Sequence, residues 1–331
     1  MTEGGQAFVE AGRELEQDHH VVAPNRIPAP SPSNCTKRKE VMMKTLMKLL
    51  LLPFLLASLS MARAEGENLE KVWEIGGVKN PESVAYDQAN DVLYVSSVNG
   101  PPAAKDGNGF ISRVSLDGKL LTPEWITGLD APKGMYVING KLYVSDIDKL
   151  VEIDIAKGAV SHRYPAEGAK FLNDVAAGAD GTVYVSDSST QTLYRLRNGR
   201  LETWLTNAEL NSPNGLLVQK NRLLVASTGK FTQQGPVPDG QLLAVSLADK
   251  SITSVSGRTL GNLDGLEPDG DKGYYLTDWP AGKLLYLSRS GSVHELLSVE
   301  PGTADLEYIP ARHLIVIPLM MGSKVVAYKV P

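Results

Sequence analysis

The chain has 331 residues, 42% of them hydrophobic, with 33 Lys and Arg against 38 Asp and Glu and a net charge of −5. That is enough apolar content for a sizeable core. The mild acidity argues against a nucleic-acid partner or an anionic membrane surface.

The first 64 residues differ in character from the rest of the chain. Residues 1–41 are Pro-rich, with "APNRIPAPSPSN" showing no apolar period, so a disordered or mis-assigned upstream segment is expected there. Residues 42–64 read as a signal peptide. Lys44 and Lys48 lead into the apolar run "LLLLPFLLASLSM", and Ala62-Arg63-Ala64 gives a small-x-small cleavage pattern. That run is too short for a spanning helix and no second one comes after it, so cleavage after Ala64 and a periplasmic location are expected. Met42 or Met43 stands where translation of such a leader would start. The remainder, 65–331, holds 25 Lys and Arg against 32 Asp and Glu and no cysteine, because Cys35 lies upstream. No disulfide or thiol chemistry is therefore expected of the mature domain, and no membrane partner once the leader is gone.

From residue 70 onward one pattern recurs: "PESVAYDQANDVLYVSS", "PKGMYVINGKLYVSD", "LNDVAAGADGTVYVSD", "PNGLLVQKNRLLVAS", "LDGLEPDGDKGYYLTD" and "ADLEYIPARHLIVIP". Each reads as strand, tight turn, strand, with hairpin chemistry at Asn139-Gly140 and Asp180-Gly181. Third strands come next, as in "GFISRVSLDG" and "KLLYLSRSG", and then weaker fourth strands, as in "LETWLT". Aligned at the start of the first strand, the repeats place Glu82, Lys133, Asn173, Asn214, Asp264 and Asp305 in one ring, at intervals of 51, 40, 41, 50 and 41 residues. Such intervals predict an all-β, six-bladed propeller. The last repeat lacks a fourth strand, and "LEKVWEI" is expected to supply it and close the ring. Tyr94, Tyr143 and Tyr184 occupy equivalent second-strand positions and are expected between blades.

The two long intervals carry extra Gly- and Pro-rich loops at 97–109 and 227–240. In a meander these loops, the six aligned residues and the strand-end residues Asp146, Asp187 and Asp278 share one face, where binding usually resides. Glu82, Asn173, Asn214 and Asp264 offer only oxygen, which suits a hard cation, Ca²⁺ first, with Mg²⁺ and Mn²⁺ as alternatives. A metal-free arrangement stays open, in which Lys133 pairs with Asp305, or reaches the axis and pairs with Glu82 or Asp264. Asp278 and Trp279 are candidates for the mouth of the site, although packing within the sheet is the commoner role of such a Trp. His162, His294 and His313 are too scattered for a catalytic dyad.

On "PESVAYD", "FLND", "SPNGLLV" and "LDGLEPDGDKGYYLTDW" the domain resembles the senescence-marker-protein/gluconolactonase family, also called regucalcin-like. The resemblance spans roughly residues 69–331. It implies a metal-dependent hydrolase acting on a lactone or related small ester. The divalent ion would be held by Glu82, Asn173, Asn214 and Asp264, with Asp264 also the base. Two departures bear on substrate. The Arg that the family often places before "ND" is replaced by Phe171 and Leu172, with Lys170 the nearest basic residue, and Lys133 is an unusual neighbour for a cation. Lys133, Lys170, Asp278, Trp279 and Asp305 are the candidate substrate-binding residues. The alternative is a non-catalytic propeller that binds a small ligand or a protein through the two long loops.

Overall fold

The structure is a computed structural model that describes residues 69–330. The expected upstream segment and signal peptide lie outside the described residues. The repeats form six four-stranded antiparallel sheets, the blades of a propeller. Their innermost strands are Pro81–Asp87, Pro132–Ile138, Leu172–Ala177, Pro213–Gln219, Leu263–Pro268 and Glu307–Ile309, for blades 1 to 6 in chain order. Three of them open on Pro, which is tolerated as a strand's first residue because it need not donate to the ladder there.

Blade 6 is closed from the other end of the domain. Its outermost strand is Glu70–Ile75, paired antiparallel with Lys324–Lys329 so that Trp73 faces Ala327 and Ile75 faces Val325. The closure is held by more than its ladder. Trp73 and Ile75 pack on a core containing Val84, Leu93, Val316 and Val325, and the Trp73 indole donates to the Leu116 carbonyl at 2.9 Å.

Each interface between neighbouring blades is a separate apolar cluster. Between blades 1 and 2, Ala85, Tyr94 and Ile111 meet Met135, Leu142 and Val144, with Tyr94 stacked on Trp125 at 4.8 Å. Tyr184 and Tyr143 occupy the matching places further round the ring. The Asn139-Gly140 turn has both residues at positive φ, 53° and 71°, as a two-residue type I′ hairpin requires. The Asp180-Gly181 turn differs from the expected tight hairpin. Its strands end at Ala177 and resume at Val183, and only Gly181 takes positive φ, because the Gly178 and Thr182 backbones close a longer loop.

One irregularity recurs where it matters most. In blades 1 to 5 the register of the innermost strand slips just after its first residue, between Pro81 and Val84, Pro132 and Met135, Leu172 and Val175, Pro213 and Leu216, and Leu263 and Leu266. On each strand two residues then face one on the partner, which is a β-bulge, and a bulge re-aims the side chains it carries. The bulge pairs are Glu82-Ser83, Lys133-Gly134, Asn173-Asp174, Asn214-Gly215 and Asp264-Gly265. The glycines among the second residues, Gly134, Gly215 and Gly265, sit against the next blade's backbone, and a Cβ on Gly215 would overlap the Asp264 carbonyl oxygen.

Candidate active site

The first residue of every bulge points into one cavity at the end of the channel. Glu82, Lys133, Asn173, Asn214 and Asp264 all line it, and all five are buried within the protein. The cavity holds about 630 Å³. Its rim is apolar where Phe171, Trp279 and Met320 reach it, and both long loops contribute, Pro102 from the first and Lys230 and Phe231 from the second.

Ser188 and Thr228 stand one residue beyond the second strands of blades 3 and 4, and they set how the two amides point. Asn173 Nδ2 donates to Ser188 Oγ at 3.0 Å, and that hydroxyl donates to the Pro213 carbonyl at 2.7 Å. Asn214 Nδ2 donates to Thr228 Oγ1 at 3.3 Å, and that hydroxyl donates to the Leu263 carbonyl at 2.9 Å. Because each hydroxyl spends its only proton on a carbonyl, it can only accept from the amide. The amide nitrogens are thereby turned toward the hydroxyls. Asn173 Oδ1 is left buried without a hydrogen-bond partner, and so are Glu82 Oε2 and Asp264 Oδ1.

Three orphaned acceptors on one cavity are unusual, since buried polar atoms are nearly always paired. Burial, then the charge of Asp264, pushes the Glu82 carboxyl well above the usual carboxylate range, while Lys133 pulls it back. Asp264 is raised by burial and then by Asp305, against a hydrogen bond from the Asn214 side chain. A cation among these oxygens would relieve both effects. The described residues contain no cluster of three His, Cys, Asp or Glu set to hold a metal; here two carboxylates combine with two amides.

The remaining predicted residues separate. Trp279 lines the cavity, but Asp278 does not: its carboxylate accepts the Ala281 N–H at 3.3 Å. Asp146 and Asp187 do the same in their blades, Asp146 for Asp130 and Ala131, and Asp187 for Lys170, Ser189 and Thr190. Lys170 is exposed and away from the cavity, which Phe171 lines in its place.

Asp305 is also displaced from its expected position. It lies beside Ser83, to whose hydroxyl it is bonded at 2.6 Å, and lines a separate pocket of about 230 Å³ with Asp174, Glu267 and Glu307. Its alignment is one residue off. Thr277 Oγ1 donates to the Ala304 carbonyl just as Ser145 Oγ donates to that of Asn173, so Ala304 is the sixth member of the ring and Asp305 the counterpart of Asp174. Asp174 itself serves backbone, accepting the N–H groups of Val175 and of Leu216 in the next blade.

Lys133 is 1% exposed. Its Nζ donates to the Ala131 carbonyl at 3.0 Å and lies 4.4 Å from the centre of the Phe171 ring. Among the described residues it forms no ion pair. Burial lowers its pKa, opposed chiefly by Glu82.

Sequence reasoning missed Ser188 and Thr228, although both sit directly after the strand-end residues of the repeat, in "SDS" and "AST".

No protein-family pattern matches the chain, and no curated relative does. Solved structures do. A gluconolactonase of Xanthomonas campestris superposes with a TM-score of 0.61 at 15% identity, over 82% of this chain and 96% of that one. Virginiamycin B lyase from Staphylococcus aureus gives 0.56 at 13% identity, over 78% and 99%, and a streptogramin B lyase 0.55 at 11%, over 80% and 100%. The shared feature is the β-propeller fold.

Proposed function

We propose that the protein is an exported, divalent-metal-dependent hydrolase that opens a lactone or related small ester. The observation that carries this reading is the orphaned set Glu82 Oε2, Asn173 Oδ1 and Asp264 Oδ1 on one cavity, with the two amides turned by Ser188 and Thr228. An all-oxygen set of this kind suits Ca²⁺, and Mg²⁺ or Mn²⁺ as alternatives. Glu82, Asn173, Asn214 and Asp264 would hold the ion, which when bound would polarise the carbonyl to be attacked.

This chain's own groups account for the rest. Asp264 accepts the proton of the attacking water, and the apolar rim seats the substrate and limits solvent access. The metal-free arrangement has less support, because the Lys133 ammonium donates to the Ala131 carbonyl and lies over the Phe171 ring, with no hydrogen bond to Glu82 or Asp264. Similarity of fold to a gluconolactonase is consistent with hydrolysis but does not by itself select a reaction.

The test is a melting-temperature titration of chelator-treated protein with Ca²⁺, Mg²⁺ and Mn²⁺, followed by a panel of lactones and esters. A ligand that binds only the folded state raises the melting temperature. No rise with any ion, and no turnover of any lactone in its presence, would refute the proposal.

A further inference from the structure

Lys133 is not explained by the chemistry just described. An ammonium so deeply buried is costly unless an anion or several acceptors surround it. Lys133 has three N–H donors and one carbonyl acceptor, at Ala131, with an aromatic face beside it. The other ammonium on the cavity, Lys230, is exposed and already sits 3.4 Å from Asp239. After Glu82, which makes no hydrogen bond to it, the charges acting most on Lys133 are those of Asp146 and Asp187, whose carboxylates are committed to backbone N–H groups.

Lys133 shares its wall of the cavity with the Phe171 ring. We infer that Lys133 is the anchor for a carboxylate on the substrate, so that the enzyme's substrates are lactones or esters bearing a carboxylate on an apolar body. The body lies against the Phe171 and Trp279 rings, and the carboxylate takes the two donors that Ala131 leaves free. Naming the substrate class in this way rests on the hydrolase reading, but the anchor itself does not need the metal.

The experiment uses phenylacetate and its uncharged isostere phenylacetamide, added to chelator-treated protein while the melting temperature is followed. Phenylacetate is expected to raise it and phenylacetamide to leave it nearly unchanged. In Lys133→Met the phenylacetate response is expected to vanish, with affinity lower by about tenfold or more, as for loss of a charged hydrogen bond. Equal responses to the two probes, no response to either, a phenylacetate response that requires added metal, or one that persists in Lys133→Met would each overturn the inference. The wild-type comparison decides even if the variant does not fold. The two readings fail separately: lactone turnover with metal but no carboxylate preference removes only the anchor, whereas phenylacetate binding without metal response or lactone turnover removes the hydrolase and leaves the anchor.

Discussion

Replacing Ser188 by Ala tests how the site is held open. The substitution removes the acceptor for Asn173 Nδ2 and the donor to the Pro213 carbonyl, so it breaks a link between blades 3 and 4 as well as the setting of the amide. Two lost hydrogen bonds at a half-buried site, with water replacing part of each, cost about 1.5 kcal/mol. For a domain of this size that is about 3–6 °C in melting temperature. The effect on the cation should be larger than the effect on the fold. With Ser188 gone the Asn173 amide is free to turn its nitrogen toward the cavity, and loss of such an orienting partner typically weakens a metal site by about 10- to 100-fold. Ser188→Thr is the matching control, because Thr228 performs the same task one blade further on. Calorimetric titration of chelator-treated wild type and both variants with Ca²⁺ gives the comparison. Wild-type affinity in Ser188→Ala would show that the amide is positioned by something other than this hydroxyl and would refute the reasoning.

Asp264→Ala removes a charged ligand and the proposed base, so both the metal-induced rise in melting temperature and lactone turnover should be lost, whereas Asn173→Ala, which removes one neutral oxygen, should weaken the ion while leaving measurable turnover; equal effects of the two would argue against the assigned roles. Deleting residues 69–76 strips the closing strand from Lys324–Lys329 and exposes the partners of Trp73 and Ile75, so the protein should melt far lower or aggregate, and an unchanged melting curve would show that the ring closes without it. In the second pocket burial raises Glu307 to about 8 and Asp305 to about 7. The folded state therefore holds protons that the unfolded chain has released, and stability should be full near pH 4 and fall as pH rises toward 8. Glu307→Gln should flatten that fall, and a wild-type melting temperature that climbs over the same range would contradict it. Gly215→Ala places a methyl group on the Asp264 carbonyl, so it should lower both stability and metal affinity, as measured by melting with and without Ca²⁺.

Much of this architecture is local, and local features can be read in one dimension. Alternating strands, hairpins such as Asn139-Gly140 and repeats of about forty residues specify the blade, because strand periodicity and turn conformation depend on near neighbours. The polar position opening each repeat was likewise visible, which is why Glu82, Lys133, Asn173, Asn214 and Asp264 could be grouped before any fold was known. The closing strand was legible for a related reason, since a repeat one strand short must find its partner elsewhere in the chain.

Tertiary structure decided which way those side chains point and what they touch. The bulge that aims the five residues depends on pairing between strands, so sequence spacing alone placed Asp305 in the ring, whereas the ladder puts Ala304 there and Asp305 in the pocket beyond. Asp278 and Lys170 were near the site in sequence, but backbone N–H groups claim the first and solvent the second. Whether Lys133 would neutralise a carboxylate or stand apart could not be read from its position in a repeat. A long, flexible side chain can reach several partners, and only the packed neighbours, Ala131 and Phe171, fix where its charge comes to rest.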